Sequence, residues 1–441
     1  IMKYIFLFFV FPLSVWSQSD AGLQLFGSQW QGNNLLPVYR PAAKWTISPP
    51  GWQHNLSSNS LRYGDVITTN ASGNPVVDVG KLLDHLKDQN ALAASVRLQT
   101  FQLTHSNGPL TFSIGHQFRY WNRFDFPEAL PKLIWEGNAQ YIGQTVPFGF
   151  NLELTTFSEW SAGLAYSLNS NWTAGARLKY LSGIGHVGTS RSHLSLYTDP
   201  EVYQLTVDAD FQVDAAGYFQ YDDFDNLDFS YRFKGFEQIV YPGNTGFAAD
   251  LGLSYSGDQW ETNLSLVDLG NIQWKKDAES YLLKGQYAYD GLNVARDFFN
   301  DSLRLEDALD TLQNLFDVQT QAGAFKTALP ARLIWNAQYN LSEQLALSAG
   351  FQSFLRKDAG QWSAFLGGRY QLLSWLNLGV TYSLDANQNH ALGAHALLKA
   401  GPLQLVAGAD HLPGVFNWRQ TRYSQVYAGL ALAFGGRDPE E

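Results

Sequence analysis

The sequence predicts an all-β fold: a transmembrane antiparallel β-barrel of about fourteen strands, with short helices in its long loops. Three observations predict it. Segments of roughly ten residues alternate apolar and polar side chains. The connections between them are short on one side of the count and long on the other. The last ordered stretch, "YAGLALAF" from Tyr427 to Phe434, ends on an apolar alternation and is followed at once by two glycines and "RDPEE".

The start of the chain comes first. In "MKYIFLFFVFPLSVWSQ", Lys3 precedes an apolar run from Tyr4 to Leu13 and then small or polar residues. That is the layout of a secretory signal peptide, expected over residues 1–17 with cleavage between Ser17 and Gln18. Past it, no apolar run approaches the ~20 residues that a membrane helix needs. An exported chain that enters a membrane without such helices does so as a closed barrel. The expected location is therefore the bacterial outer membrane. Residues 18–41 are read as an N-terminal periplasmic or plug segment, 42–434 as the barrel and 435–441 as a periplasmic tail.

Composition agrees with this class and excludes others. Of 441 residues, 45% are hydrophobic and 15% aromatic, with 39 Gly and no Cys. No disulfide can form. The formal charge is -11 and no basic run stands out, so nucleic acid is not an expected partner.

The alternation runs along the chain. In "NWTAGARLKY", Trp172, Ala174, Ala176, Leu178 and Tyr180 share one face, opposite Thr173, Gly175, Arg177 and Lys179. In "ARLIWNAQYN", Ala331, Leu333, Trp335, Ala337 and Tyr339 share a face, with Ile334 the exception on the other. In "WLNLGVTYSL", Leu376, Leu378, Val380, Tyr382 and Leu384 oppose Asn377, Gly379, Thr381 and Ser383. A soluble sandwich alternates too. Here Trp or Tyr stands at strand ends, as Trp172, Tyr180, Trp335, Tyr339 and Trp375 do, which suits aromatic girdles. The polar faces carry the Gly, Asn, Gln, Thr and Arg of a wet or plugged lumen.

Strands are expected at 42–49, 91–106, 109–122, 150–168, 171–184, 246–257, 260–274, 329–340, 344–356, 361–371, 375–385, 389–399, 402–410 and 424–434. The connections "SNGP", "NS", "SGDQ", "NLSE", "LLS" and "AGP" are tight turns on one side. Residues 50–90, 123–149, 185–245 and 275–328 form long loops on the other. An even count places both termini with the short, periplasmic turns. Within the loops, "VGKLLDHLKD" puts Val79, Leu82, Leu83 and Leu86 on one helical face. "LRLEDALDTLQNLF" does so with Leu305, Leu309, Leu312 and Phe316, and "FPEALPKLIW" reads as a third short helix. Residues 186–213 and 279–288 look strand-like and either extend hairpins beyond the membrane or raise the count. At the far end, Tyr427, Gly429, Leu432 and Phe434 have the spacing of a C-terminal signal for the barrel-assembly machinery. Leu430, Leu432 and Phe434 are expected to face lipid.

Several stretches together resemble a known family: "GNTGFAADLGLSY" at 243–255, "SLVDLGNIQW" at 265–274, "GARLKYLSGIGHV" at 175–187, "LPARLIWNAQY" at 329–339 and the closing "AGLALAFG". They are similar to the uncharacterised outer-membrane barrel proteins of Bacteroidota, a domain of unknown function. Those are related in style to the FadL-like long-chain fatty-acid transporters and to the PorV barrel of type IX secretion. The resemblance covers nearly all of the mature chain, and Asp250, Gly252, Asp268, Gly270 and Trp274 carry its motif. It implies a FadL-like barrel and no settled activity. There is one departure. Such proteins carry an Asn-Pro-Ala element at the start of an inserted plug, and here Leu36-Pro37-Val38 stands in its place. The shape of the plug is thus left open.

The chemistry-bearing residues point to a lumen network. Asp250 lies on the polar side of its strand, and a carboxylate inside a barrel must be paired or hydrated. Arg177, Lys179, Arg332 and Arg369 lie on polar faces as partners. The network is either structural or a substrate or gating site. Asp268 is expected to bind backbone amides at a turn. His116 lies near Arg119, and His186 and His193 share a loop with Ser190, Ser192 and Ser195. No "GxSxG" occurs and no triad spacing appears, so no enzyme is expected. Asp223, Asp225 and Asp228 are calcium candidates that lack the glycine and glutamate of an EF-hand loop. No cofactor is expected.

Two functions follow. One is passive transport or binding of a hydrophobic or amphipathic small molecule, with an apolar cavity lined by inward Phe112, Phe118 or Phe365. The other is a barrel scaffold of a secretion or surface-assembly machinery. It has a filled lumen and an apolar patch on the long loops where protein partners dock.

Overall fold

The computed structural model of the chain describes residues 20–26, 30–69, 75–217, 220–221, 227–228, 243–289, 318–355, 361–386 and 389–436. Fourteen antiparallel strands close into one barrel. They are β1 (Ala43–Ser48, resuming as Gly51–Ser58), β2 (Gln89–Asn107), β3 (Leu110–Pro127), β4 (Asn151–Ser167) and β5 (Trp172–Thr198). Then come β6 (Thr245–Ser256), β7 (Trp260–Trp274), β8 (Arg332–Asn340), β9 (Leu345–Phe354) and β10 (Trp362–Leu373). The last are β11 (Leu376–Asp385), β12 (His390–Ala400), β13 (Leu403–Ala409) and β14 (Tyr423–Gly436). Neighbours in sequence are neighbours in the wall, and β1 pairs with both β2 and β14 to complete the ring.

The first strand corrects the sequence reading, which ended it at residue 49. Pro49 and Pro50 lack the N–H that a ladder needs, so pairing stops there. It resumes at once, with Trp52 opposite Ala428 and Leu98. Ser48 Oγ donates to Leu430 O at 3.0 Å across the interruption. β5 also runs past its expected end at 184. Its lower part pairs with β6, and its upper part pairs with Leu205–Ala216. That segment pairs in turn with Ala278–Tyr289. The strand-like loop residues therefore extend the wall beyond the barrel rather than adding to its strand number.

Outward side chains form the apolar belt that alternation requires. Leu178 and Phe247 are each 71% exposed and Leu366 is 66% exposed. At the turn end, rings pair on the outside: Trp172 with Tyr255 at 5.1 Å and Trp260 with Tyr339 at 4.6 Å. On β14, Leu432 and Phe434 face outward opposite Ile47 and Trp45, while Tyr427 points inward and is buried.

The interior is layered. At the turn end, residues 20–26 and 30–40 lie inside the barrel. Helix α1 (Ala21–Leu25) and residues Leu35, Leu36, Val38 and Tyr39 pack on Val267, Ile334, Leu397 and Val406. Above the charged layer treated below, Phe157, Leu181, Ile272, Trp274 and Phe354 form a second apolar layer. Over the loop end, the helix Val79–Asp84 is capped by Asp78, whose Oδ1 accepts from Lys81 N at 3.2 Å. Its Leu82 packs with Leu61, Val66 and Phe126, and with Leu130 of the helix Ala129–Trp135. The helix expected at 303–316, the signal peptide, Asp223, Asp225 and the charged tail from 437 lie outside the described residues.

Candidate functional site

A buried ionic network crosses the lumen between the two apolar layers. Asp268 is its centre. Arg119 donates to both of its oxygens, at 2.7 and 2.9 Å, and Lys179 donates to Oδ1 at 2.7 Å. Arg119 also reaches Glu159 at 2.9 Å. Lys179 lies 2.7 Å from Asp250, and Arg177 lies 3.2 Å from the same carboxylate. Arg332 pairs with Asp20 at 2.8 Å and stands 3.8 Å from Asp268. Every one of these groups is buried. Charges so placed persist only when each is paired and hydrogen-bonded. The planar guanidinium fork makes Arg119 suited to its two-oxygen contact.

A β-bulge explains how Asp268 gets there. The pairing of β6 with β7 slips between Ala249 and Leu251, leaving Asp250 opposite Val267 and Asp268. Asp268 takes a left-handed backbone, φ 63°. Both Val267 and Asp268 are consequently buried inside. The freed N–H of Asp268 donates to Asp250 Oδ1 at 2.8 Å. This reverses the expectation that Asp268 binds backbone amides: its carboxylate receives side-chain cations, and its own amide is bound.

The network also ties down the N-terminal segment. Asp20 accepts from Arg332, from Gln53 at 2.5 Å and from Gln425 at 3.1 Å. Arg177 donates to both the carbonyl and the side-chain oxygen of Asn33. Asp410 accepts from the N–H groups of Ala21 and Gly22 at 2.9 and 3.0 Å. Pro37 and Val38 lie against Gly175 and Gly252. A Cβ at Gly175 would stand 2.3 Å from Pro37 O, and one at Gly252 would stand 2.8 Å from Pro37 Cγ. The segment leaves the lumen at Arg40, which donates to Gly108 O at 2.7 Å. So a segment with Leu36 in place of Asn still enters the barrel, held instead by Asp20 and Asn33.

Arg177, Lys179, Asp250 and Arg332 thus meet in one place. Arg369 does not join them: it sits on β10, where it feels the charges of Glu261 and Lys399. Arg119, Glu159, Asp20 and Asp410 complete the constellation and were not singled out by spacing. Arg119 and Glu159 share the lumen parity of their strands, which is the one signal that marks them. Of the motif residues, Gly270 gives its space to Ala248, and Trp274 is buried with Nε1 donating to Thr327 Oγ1 at 2.8 Å.

The histidines are structural in their contacts. His116 faces the outer wall, away from Arg119. Its Nδ1 lies 2.7 Å from Thr100 Oγ1 and its Nε2 2.8 Å from Ser158 Oγ, under the rings of Phe101, Phe118 and Trp160. A hydroxyl stands where a serine–histidine pair would need a carboxylate. His186 lies 2.9 Å from Thr155 Oγ1 and stacks on Trp274. Among the described residues no cluster of three metal-ligating side chains occurs.

Three small hollows adjoin the network. The first, a water-sized space, lies on its loop side and is bordered by Asn55, Arg97, Arg119, Trp121, Arg332 and Phe354. The second lies between Asn33 and Asn34 of the inserted segment and β3. The third lies behind the proline interruption and is bordered by Leu23, Gly51, Trp52, Arg97, Gln99 and Tyr427. None is the aromatic cavity expected from Phe112, Phe118 and Phe365. Phe112 is exposed on the outside and Phe118 packs on His116. Phe365 is buried, its ring filling the space over Gly350 beside Gln24.

The chain belongs to a family of unknown function (DUF5723), which matches residues 37–410. No curated protein matches it. Among solved structures it is similar to a TodX monoaromatic hydrocarbon channel mutant, with a TM-score of 0.45, 10% identity, 91% of this chain and 93% of that one covered. It is also similar to a Pseudomonas aeruginosa FadL homologue, with a TM-score of 0.41, 11% identity and 96% of each chain covered. For the Ralstonia pickettii toluene transporter TbuX the TM-score is 0.39 at 10% identity, covering 91% of this chain and 92% of that one.

Proposed function

We propose that this protein is an outer-membrane barrel that takes up or holds a hydrophobic or amphipathic small molecule through an opening in its side wall. The apolar belt, the ringed turn end and the long loops support the membrane placement, with the short turns in the periplasm. The outward Leu432 and Phe434 on the last strand support its reading as the signal for the barrel-assembly machinery. The reading assigns no reaction to the chain.

One observation carries the proposal. The wall loses its ladder at Pro49 and Pro50, and Gly51 presents no side chain there. Immediately inside lies the small hollow with Leu23 and Tyr427 on its border. A gap in the ladder beside a partly apolar hollow is a route by which a molecule passes between lumen and bilayer without crossing the ionic network. Native mass spectrometry of the gently purified full chain tests it. A bound lipid-like mass is expected in wild type and lost in Gly51→Phe, whose ring fills the hollow. Equal occupancy in both, or none in either, rejects the proposal.

A second reading, a scaffold that docks partner proteins, is favoured by the loop tips. Val202, Tyr203 and Phe416 are exposed, Phe416 by 81%. It requires a stoichiometric co-purifying protein that Phe416→Ser releases.

A further inference from the structure

The outer surface of β5, β6 and β7 changes character in rows as it rises from the turns. At the turn end Trp172 pairs with Tyr255. Eight residues further along the same two strands, Tyr180 stands opposite Phe247, their ring centroids 5.7 Å apart. The next row up carries no ring. It runs Ser182, Thr245, Gln273 and Lys326, each opposite the next in the strand pairing. Lys275 stands one row higher, two residues beyond Gln273. Thr245 lies ten residues from Tyr255. At ~3.3 Å per residue and the usual tilt of about 40°, that is a height of about 25 Å. The apolar band of an outer-membrane barrel has the same height, about 25 Å. The two lysines therefore stand at its upper edge, at the level of the headgroups.

The fold fixes where both lysines point. The short strand Phe325–Ala328 pairs with the upper end of β7. Its Phe325 packs against the buried Trp274, and its Thr327 accepts from Trp274 Nε1. Alternation then turns Lys326 outward. Trp274 itself points inward, so Lys275 follows on the outer face. Its backbone is clamped, because Asn244 Oδ1 accepts from Lys275 N at 2.8 Å and from Lys276 N at 2.9 Å. Both lysines are exposed. Among the described residues neither has a carboxylate at ion-pair distance, although the chain carries a formal charge of -11.

An amphiphile with a negative head fits this surface. Its acyl chains lie along Leu178, Phe247 and Leu251, all exposed. Its head meets two ammonium groups, compact charges on flexible stems that suit phosphate. Thr245 and Gln273, in the row between, offer hydrogen bonds to further oxygens.

We propose that the outer face of β5–β7 binds a phosphate-bearing lipid of the outer leaflet, with Lys275 and Lys326 on the phosphate. The site rests on the outer-membrane placement proposed above and is independent of the side opening, which lies on β1.

The test is a native mass spectrometric titration of the full-length protein in detergent. The probes are bisphosphorylated lipid A and the same lipid with its phosphates removed. Wild type is compared with the double variant Lys275→Gln, Lys326→Gln and with Lys44→Gln, which alters an exposed lysine at the turn end of β1. A lysine near a charged membrane surface contributes roughly fivefold in affinity, and two contribute roughly thirtyfold. Wild type and Lys44→Gln are expected to prefer the phosphorylated lipid at least tenfold, and the double variant is expected to lose that preference. Changing both lysines to Arg keeps the charge and should keep the preference. Equal binding of the two lipids by wild type overturns the proposal. So does a preference that survives in the double variant, or one that Lys44→Gln weakens as much. Should the double variant not fold, the two single changes replace it, each expected to weaken the preference roughly fivefold; a full preference in both overturns the proposal. Wild type is also followed into the outer-membrane fraction of its native cells. A chain found there without a phosphate preference overturns this site and leaves the placement standing. A chain absent from that fraction overturns the placement, and the site with it.

Discussion

Replacing Asp268 by Asn removes one charge from the lumen and leaves the shape unchanged. Asn tolerates the left-handed backbone that Asp268 adopts at φ 63°. In the native barrel the carboxylate receives Arg119 through both oxygens and Lys179 through one, with Arg332 at 3.8 Å. After the change each cation keeps another carboxylate: Arg119 keeps Glu159, Lys179 keeps Asp250 and Arg332 keeps Asp20. No cation is stripped bare, but one positive charge is left without a counterpart. Breaking a buried pair costs about 3–5 kcal/mol. The remaining partners place Asp268→Asn at the lower end, about 3 kcal/mol. Asp268→Ala loses the same charge and also forces a Cβ without a local hydrogen bond into the left-handed region, adding about 1 kcal/mol. Urea unfolding in lipid vesicles, read by the separation of folded and unfolded barrel on gels, measures both. An Asp268→Asn protein within about 0.5 kcal/mol of wild type would refute the reasoning, since ordinary surface changes do no more than that. So would an Asp268→Ala protein equal to Asp268→Asn, for then the bulge would not constrain the backbone.

The inserted segment and the loops give two further tests. Gly175→Val drives a branched side chain into Pro37 O, which a Cβ alone already approaches to 2.3 Å. Overpacking of about 1–3 kcal/mol is expected, with faster amide exchange across residues 33–38 and an intact barrel; unchanged exchange there would place the segment elsewhere. In the loop before β14, burial lowers the pKa of His411, whose Nδ1 accepts from Gly414 N at 3.1 Å. The folded loop therefore favours the neutral ring. Its contribution is complete above the unfolded pKa of about 6.5 and is lost as pH falls from there through the lowered folded value. His411→Gln should abolish that pH dependence of amide exchange at 411–421, and a dependence that survives the substitution would reject the assignment.

Much of the wall is legible in the sequence because the side-chain period of a strand is two and each short turn resets it. Alternation fails where the backbone departs from that period. Pro49 and Pro50 read as the end of a strand, yet the ladder needs their N–H groups at those two positions only, and pairing resumes at Trp52. The bulge opposite Asp250 shifts β7 by one residue, so strict alternation from Asn263 and Ser265 puts Asp268 on the outside, whereas it is the centre of the ionic network. Parity reports the face of a residue and not its height. It pointed to Arg177, Lys179, Arg332 and Arg369 alike, and the network takes the first three while Arg369 lies near Glu261. Asp20 carries no periodic signal at all. Its position depends on the N-terminal segment threading the barrel, and Arg332, its ionic partner, is 312 residues away.

The most direct test of the side opening is cryo-electron microscopy of the protein purified gently from native outer membrane, with lipid analysis of the same sample. An elongated density entering beside Gly51 and reaching the hollow between Leu23 and Tyr427, matched by an enriched hydrophobic molecule, is the predicted result. A hollow closed by side chains, with a stoichiometric protein seated on the loops around Phe416, would contradict it and make the barrel a docking scaffold.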